Sequence, residues 1–217
     1  MTSRERVFAT LEQQQPDRVP IAEMWIDPKI VKAVVPDARD SNDLVEYLDL
    51  DMVTVLTMVY QPEEVDWVDR GVGLFRDKWG ALQQLTEEAV PVPSLPARIE
   101  TTEDLINYTP PDPTTSPVIE KVRRLRARFP EKAVAVVAES GWAPAVFLRG
   151  GIENLLLDLA LRPDFAKELM GIGAAYYAEL LPLTIEAGAD VVFLGDDYSD
   201  KTGPMMSPAM FEEIILP

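Results

Sequence analysis

Ala133-Val134-Ala135-Val136-Val137-Ala138 is the stretch that decides the fold, because this unbroken apolar run stands between two segments with helical periodicity. A strand of a parallel sheet is covered on both faces and therefore reads as a continuous apolar run rather than an alternating one. One helix is predicted before it over 116–129, and apolar residues at helical spacing follow it as far as Glu186. This alternation of helix and strand predicts a parallel α/β fold.

Three further short segments are predicted to be strands: 19–25, which follows a proline, 51–56, and 190–194. We therefore predict four parallel strands near residues 20–25, 52–57, 133–138 and 190–195, adjacent in that order. A closed (β/α)8 barrel needs eight strands, and no G-x-G-x-x-G or P-loop motif follows any of the four. The predicted fold is α/β, a partial (β/α)8 TIM-type barrel of about four βα units.

An excursion is predicted after the second strand, because residues 57–99 differ in composition from the rest of the chain. Large aromatic residues, glycines and then prolines follow one another there: Trp67, Phe75 and Trp79, Gly71, Gly73 and Gly80, and Pro91, Pro93 and Pro96. We expect an inserted loop that is partly β-hairpin, within one domain over 1–217. Long insertions at the carboxyl end of a strand often form lids or walls of a site.

Charge and composition exclude several classes of function. Lys and Arg number 20 against 37 Asp and Glu, so the net charge is −17, which repels nucleic-acid backbones and anionic lipid surfaces. The chain has no cysteine and no histidine, which excludes disulfides and thiol catalysis and removes the commonest general base and metal ligand. No metal site is therefore predicted. Without an apolar signal-peptide core or a membrane-length apolar run, the sequence predicts a soluble, cytoplasmic protein.

Candidate site residues follow from the rule that parallel α/β folds bind ligands at the carboxyl ends of their strands. The candidate catalytic residues are Glu139, Asp196, Asp197 and Tyr198. The candidate substrate-binding residues are Glu23, Trp25, Thr57, Trp142 and Arg149. We expect those that directly follow a strand to converge at one end of the sheet.

Each candidate also has an ordinary structural interpretation. The carboxylate at Asp196 or Asp197 could bind a cation, accept a substrate N–H or act as a base, or it could cap a helix or turn. If the chain leaves the strand extended, only one of the two should face the pocket. Arg149 could pair with Glu139 or bind a substrate carboxylate, and Trp142, like the other candidate tryptophan, could line a flat ligand or pack in the core.

Several segments carry a resemblance to a known family through their order and spacing. They are Ser3–Arg6 with Pro16–Pro20, Asp77–Gly80, Asp104–Leu105 with Tyr108–Pro113, Leu148–Asn154, Gly195–Tyr198, Gly203–Pro204, Ser207–Pro208 and Phe211–Pro217. Together they resemble the uroporphyrinogen decarboxylase and corrinoid methyltransferase superfamily, and its methyltransferase-like branch in particular. The resemblance spans essentially the whole chain and corresponds to the N-terminal part of that barrel.

The resemblance implies a (β/α)8 barrel and one of two activities. One activity decarboxylates the acetate arms of uroporphyrinogen, and the other moves a methyl group between a corrinoid and a thiol or similar acceptor, usually with zinc. The decarboxylases carry Arg-Gln-Ala-Gly-Arg after the first strand, where this chain has Glu23-Met24-Trp25-Ile26-Asp27. The methyltransferases take zinc from His and Cys in the C-terminal half, which has no counterpart here.

Three hypotheses follow about function. The first is part of a methyltransferase, the second is a uroporphyrinogen decarboxylase, and the third is a non-catalytic half-barrel that binds a partner chain. We expect no cofactor to be bound by this chain alone, with zinc and a corrinoid implied for the complete methyltransferase-like enzyme. The expected partners are a small molecule or a corrinoid protein, and a second half-barrel chain or another copy of this one. The sequence leaves the methyl donor and acceptor open.

Overall fold

A computed structural model describes residues 1–57, 64–86 and 91–216. Its α-helices are α1 (Ser3–Leu11), α2 (Pro28–Val34), α3 (Ser41–Tyr47), α4 (Thr102–Ile106), α5 (Pro117–Arg128), α6 (Trp142–Leu148), α7 (Ile152–Leu161), α8 (Pro163–Glu186) and α9 (Pro208–Met210). Its strands are β1 (Met52–Leu56), β2 (Asp66–Asp69), β3 (Leu74–Arg76), β4 (Leu82–Gln84), β5 (Val92–Pro93), β6 (Ala133–Ala138), β7 (Val191–Leu194), β8 (Ser199–Asp200) and β9 (Gly203–Pro204). A 3-10 turn covers Pro113–Thr115 and a π-helical turn covers Phe211–Ile215.

The chain packs as two compact units, each built from three separate pieces of sequence. The first unit consists of Met1–Thr57, Thr114–Ala138 and Leu180–Phe193. The second unit consists of Met58–Pro113, Glu139–Glu179 and Leu194–Pro217.

The first unit is organised around a sheet in the strand order β1-β6-β7. The first two strands pair in parallel, from Met52 opposite Ala133 to Leu56 opposite Val137. Every residue of β6 is buried, as the continuous apolar run predicts. These strands confirm the α/β class and three of the four strands predicted from the sequence.

The prediction of a first strand near residues 20–25 is wrong, and the described sheet has three strands rather than four. The segment is irregular and its apolar side chains are exposed, Val19 and Ile21 by 78% and 54%. A strand ladder needs free backbone donors, but Pro20 has none and the Ile21 N–H donates to a carboxylate oxygen of Asp51 at 2.8 Å. One backbone bond remains, from the Asp51 N–H to the Ile21 carbonyl.

Two buried carboxylates hold the pieces of the first unit together. Asp51, immediately before β1, accepts hydrogen bonds from the guanidinium groups of Arg6 and Arg18. Asp190, immediately before β7, accepts from Arg4, from Arg126 of α5 and from the backbone N–H of β6 at Val134. Both carboxylates are at the start of a strand, so the ion pairs fix where two strands begin.

Helix α5 forms where the sequence predicts it. The Ser116 hydroxyl accepts from the Val118 N–H at its first turn, and Pro117 occupies the first helical position, where no backbone donor is needed. Val118, Ile119 and Val122 form its buried face. Two of its outward arginines are held in ion pairs, Arg126 with Asp190 and Arg128 with residues of α3, so part of the arginine cluster has a structural role.

The second unit contains a four-stranded antiparallel sheet in the order β2-β3-β4-β5. It occupies the described parts of the stretch 57–99, where Trp67 pairs with Phe75 across the first hairpin and their rings lie 5.7 Å apart. Trp79, in the turn after β3, is 1% exposed, and its carbonyl accepts from the Tyr108 hydroxyl at 2.9 Å. This unit also contains α4, α6, α7, most of α8, the short β8–β9 pair, α9 and the π-helical turn.

None of the helices within the described ranges is long and apolar enough to cross a bilayer.

Close packing at Gly141, the residue before α6, leads to a testable prediction. A Cβ at Gly141 would lie 2.2 Å from the carbonyl oxygen of Met170 in α8, which is backbone and cannot move aside easily. We expect Gly141→Ala to lower the free energy of unfolding by about 1–3 kcal/mol, the usual range for overpacking. Urea unfolding monitored by circular dichroism would measure it.

Gly171 of α8 supplies the matched control. A Cβ there meets nothing within 4 Å, and the residue is exposed. Gly171→Ala should therefore be neutral or raise the free energy of unfolding by about 0.5–1 kcal/mol, because alanine is the better helix former. Equal effects of the two substitutions would contradict the packing argument.

Candidate functional site

Asp196 is held at the amino end of α6, where it organises the loop after β6. Its Oδ2 accepts from the backbone N–H of Ser140 at 2.6 Å and from the Ser140 hydroxyl, and its Oδ1 accepts from the Ala143 N–H at 3.1 Å. A carboxylate at the start of a helix satisfies donors that have no partner within the helix. Asp196 therefore caps the helix, which is the structural interpretation the sequence left open.

Three aromatic rings stand next to this cap. The Tyr198 ring lies 5.5 Å from Trp142 and 5.3 Å from Phe211, the second pair edge to face. The Tyr198 hydroxyl oxygen is 3.2 Å from that of Ser140, and burial raises the pKa of this phenol. The hydroxyl network thus fixes the ring, which joins two of the predicted residues, Trp142 and Tyr198, in one cluster.

A cleft of about 500 Å³ opens beside these rings within the second unit. Its lining residues are Asp196, Asp197, Tyr198, Ser199, Pro204, Met206, Pro208, Phe211 and Glu212. Both aspartates are among its lining residues. The Asp197 carboxylate accepts from the Ser199 N–H two residues on, at 3.2 Å.

Glu139 is the fourth predicted catalytic residue, and it lies directly after β6. Its side chain is buried, and one oxygen accepts from the Tyr177 hydroxyl at 2.8 Å. Burial raises the pKa of Glu139 to about 7, against the opposing effects of the Tyr177 hydrogen bond and the Lys78 cation, while Asp196 contributes a smaller increase. A carboxyl group with such a pKa can give or take a proton near neutral pH.

Lys78 lies among aromatic rings close to Glu139. Its ammonium nitrogen is 5.0 Å from the Tyr176 ring centroid, 5.6 Å from Tyr177 and 5.7 Å from Trp79, within the range of cation–π attraction. Burial lowers the pKa of Lys78, and nearby carboxylates including Glu139 oppose that change. The cation partly balances the negative charge that Glu139 carries when it ionises.

Asp77 precedes this lysine and shapes its loop. The carboxylate accepts from the backbone N–H groups of Trp79 and Ala81, both at 2.9 Å, and from the Gln83 side chain. Burial raises the pKa of Asp77 to about 6, although these hydrogen bonds favour the charged form. The Asp77–Gly80 segment noted in the sequence is therefore a rigid turn that presents Lys78.

Arg149 has a structural partner in the second unit. Its Nε donates to Asp158 at 2.6 Å and its NH1 group donates to the Ile99 carbonyl at 2.7 Å. The ion pair considered from the sequence, with Glu139, is therefore replaced by one with Asp158 of α7. Arg149 itself is 9% exposed.

The other three candidates belong to the first unit. Glu23 is exposed, and Thr57 is fully buried, with its N–H donating to the Val137 carbonyl at 2.9 Å. Trp25 is 43% exposed and lines a depression of about 230 Å³ with residues of α2, of the start of α3 and of the end of β1. The predicted convergence of these three with the residues after β6 and β7 stays a prediction.

Sequence reasoning did not single out four residues of the second unit that lie at or near this site: Lys78, Tyr177, Phe211 and Glu212. Three of them lay inside segments whose resemblance was noted: Lys78 in Asp77–Gly80, and Phe211 and Glu212 in Phe211–Pro217. Tyr177 had no local signal beyond helical spacing.

The zinc implied by the methyltransferase resemblance does not fit these residues. No group of three or more His, Cys, Asp or Glu side chains in residues 1–57, 64–86 and 91–216 is arranged to hold a metal ion. The full sequence also lacks histidine and cysteine, the ligands that bind zinc best.

The chain is similar to known proteins both in sequence and in fold. The family model for uroporphyrinogen decarboxylase (URO-D) matches residues 80–217, which is more than half of the chain. The solved structure of a methyltransferase from Methanosarcina mazei matches with a TM-score of 0.68 and 17% sequence identity, over 99% of this chain and 64% of that one. The chain thus spans less than two thirds of that methyltransferase, and the likeness at this identity concerns the fold. The search of curated proteins found no match.

Proposed function

This chain belongs to the uroporphyrinogen decarboxylase family, and from that membership we propose that it is part of an enzyme that moves a methyl group between a corrinoid and a thiol or related acceptor. We place its parallel sheet within a partial (β/α)8 barrel, as the fold shared with the M. mazei methyltransferase suggests. In this proposal the second-unit cleft holds the small molecule that gives or receives the methyl group. A corrinoid, being larger than the cleft, would come to its mouth on another protein.

The observation that carries the proposal is the charge of the cleft. Three acidic residues are among its lining residues, Asp196, Asp197 and Glu212, and its described lining includes neither Lys nor Arg. Uroporphyrinogen carries several carboxylates, which a decarboxylase must hold with cationic groups. A cleft lined by carboxylates in a chain of net charge −17 repels such a substrate. Methyl transfer to or from a small neutral or cationic molecule meets no such obstacle.

The two activities can be separated by direct assay. We expect the purified chain to leave uroporphyrinogen unchanged, and to show no methylcobalamin–thiol transfer with zinc, because it has no His or Cys to bind that metal. Transfer should appear when a chain carrying the family's His- and Cys-containing C-terminal part is added. Decarboxylation of uroporphyrinogen would overturn the proposal in favour of the alternative, a decarboxylase of porphyrin biosynthesis. Methyl transfer by the chain alone would show that its site is complete.

A function of another class has one observation in its favour. The apolar side chains of Val19, Ile21, Met24 and Trp25 are all more than two fifths exposed, a surface that a second polypeptide would cover. In this alternative the chain is a non-catalytic half-barrel that binds a partner chain. A stable oligomer in sedimentation, together with no turnover in any of the assays above, would favour it.

A further inference from the structure

Two hydroxyl groups and a carboxylate form a chain of hydrogen bonds that ends at the second-unit cleft. The Ser140 hydroxyl donates to Oδ2 of Asp196, and the hydroxyl oxygens of Ser140 and Tyr198 are 3.2 Å apart. Of these two hydroxyl residues, Tyr198 lines the cleft, and Ser140 is not among the described lining residues. A ligand in the cleft therefore meets this chain at Tyr198.

The direction of each hydrogen bond in the chain follows from the backbone. The Ser140 N–H donates to Oδ2 of Asp196 at 2.6 Å, and the Ala143 N–H donates to Oδ1 at 3.1 Å. Because a backbone N–H can only donate, the carboxylate acts as an acceptor on both oxygens. The single hydroxyl proton of Ser140 is thus directed at Asp196, and the Ser140 oxygen is left to accept from Tyr198.

Tyr198 has one proton to donate, and this chain uses it. Burial raises the pKa of the phenol and Asp196 adds to that effect, although the contact with Ser140 opposes it, so the phenol keeps its proton at neutral pH. That proton points towards Ser140 and Asp196, whose Oδ2 is 3.5 Å from the Tyr198 hydroxyl oxygen. Towards the cleft, the phenol oxygen is left only to accept a hydrogen bond.

The other side chains of the described lining add no donor. The Ser199 hydroxyl donates to Oδ1 of Asp197 at 3.4 Å. The remaining lining residues are prolines, a methionine, a phenylalanine and acidic residues, and an ionised carboxylate only accepts. A ligand oxygen that needs a donor, such as that of an ether or a carbonyl, finds no side chain here to supply one, and burying it without a partner costs free energy.

We infer that the second-unit cleft selects its ligand by a proton-bearing group, an O–H, N–H or S–H, which donates to the phenol oxygen of Tyr198. Ser140 is the positioning residue, because its accepting oxygen turns the phenol proton away from the cleft. The inference rests on the proposed function only in taking this cleft as the small-molecule site. Ligand binding can be measured on the chain alone, without methyl transfer.

The test compares two isomers that differ in their hydrogen-bond donor. Benzyl alcohol carries an O–H, whereas methoxybenzene has the same molecular formula and an ether oxygen that only accepts. Titration of the full chain followed by nuclear magnetic resonance gives both dissociation constants, and the comparison between variants uses their ratio. Tyr198→Phe should shift this ratio against the alcohol by roughly threefold to tenfold, because one hydrogen bond is lost.

Ser140→Ala is the sharper variant, because it leaves the Tyr198 phenol in place. Without the Ser140 oxygen, only the 3.5 Å contact with Asp196 competes for the phenol proton, which can then turn into the cleft and donate to the ether. The ratio should again shift towards methoxybenzene. If the phenol only packed against Trp142 and Phe211, removing the Ser140 hydroxyl would leave the ratio unchanged.

Tyr47→Phe is the matched control for the loss of a phenol. Tyr47 is 68% exposed in α3 and belongs to the first unit, so its substitution should leave the ratio as it is in the wild-type chain. An equal shift in this control would overturn the inference. An unchanged ratio in either Tyr198→Phe or Ser140→Ala would also overturn it, and so would failure of both isomers to bind the wild-type chain.

Binding and turnover separate this inference from the proposed function. The expected shifts in the ratio, with no methyl transfer in any combination of chains, would support the inference and count against the proposed function. Methyl transfer with an unchanged ratio would do the reverse. Far-ultraviolet circular dichroism of each variant checks that the chain remains folded.

Discussion

Asp51→Asn should lower the free energy of unfolding by about 3–5 kcal/mol, the cost of breaking a buried ion pair from one side. The Asp51 side chain is fully buried and accepts from Arg6 at 2.6 Å, from Arg18 at 2.8 Å and from the Ile21 N–H at 2.8 Å. Asparagine keeps the volume but loses the charge, which leaves the nearly buried guanidinium of Arg6 paired with the partly exposed carboxylate of Asp17. Urea unfolding at pH 7 would measure the change.

Asp17→Asn is the matched control, because Asp17 bonds the same guanidinium of Arg6 at 2.6 Å but its side chain is 45% exposed. Water can replace much of the interaction with Arg6 that Asp17→Asn removes. The free energy of unfolding should therefore change far less than in Asp51→Asn. Burial opposes ionisation of Asp51, but its hydrogen bonds together hold its pKa below the usual value. Its contribution is therefore present at neutral pH and is lost as the pH falls through the folded-state pKa. Similar losses in both variants would show that burial does not set the strength of this cluster.

The second large effect is a pH dependence centred on Glu139. Its pKa is raised from 4.5 to about 7, so between these values the folded state holds a proton that the unfolded state has released. The free energy of unfolding must then fall as the pH rises through this window. At 1.36 kcal/mol for each pKa unit, the loss amounts to about 3 kcal/mol. Glu139→Gln should remove most of it.

The measurement is a series of urea unfolding curves from pH 5 to pH 8 for the wild-type chain and for Glu139→Gln. The charged neighbours Lys78, Asp77 and Asp196 are present in both proteins, so the difference between the two slopes reports on Glu139. Glu168→Gln, at an exposed position of α8, is the control and should follow the wild-type curve. A wild-type slope no steeper than that of Glu139→Gln would mean that the carboxyl is ionised in the folded state throughout.

The sequence predicted elements whose cause is local. An apolar run such as 133–138 needs burial on both faces, which a central parallel strand provides. The pair Ser116-Pro117 indicates a helix start by itself. The segment 19–25 carried the same apolar signal, yet its backbone donor at Ile21 bonds Asp51, which is thirty residues away. Apolar composition alone could not reveal that competition.

The sequence could propose which residues lie near one another, but not which contacts their side chains make. Asp196, Tyr198 and Trp142, which were chosen because they follow strands, do lie together; that they form a functional site stays a prediction. The capping role of Asp196 depends on Ser140, which is 56 residues away in sequence, and no local pattern joins the two. From the sequence, Arg149 could pair with Glu139. The position of α7 brings the Asp158 carboxylate to it instead.

The discontinuous first unit has a consequence for how the chain is made. Its opening segment, 1–57, includes Arg4, whose carboxylate partner Asp190 leaves the ribosome more than a hundred residues later. At roughly 5–20 residues per second, translation imposes a wait on the order of ten seconds before the third strand can join the sheet. During that time β1 and its exposed apolar neighbours are an unfinished edge, the kind of surface that chaperones recognise and that aggregates when translation stalls.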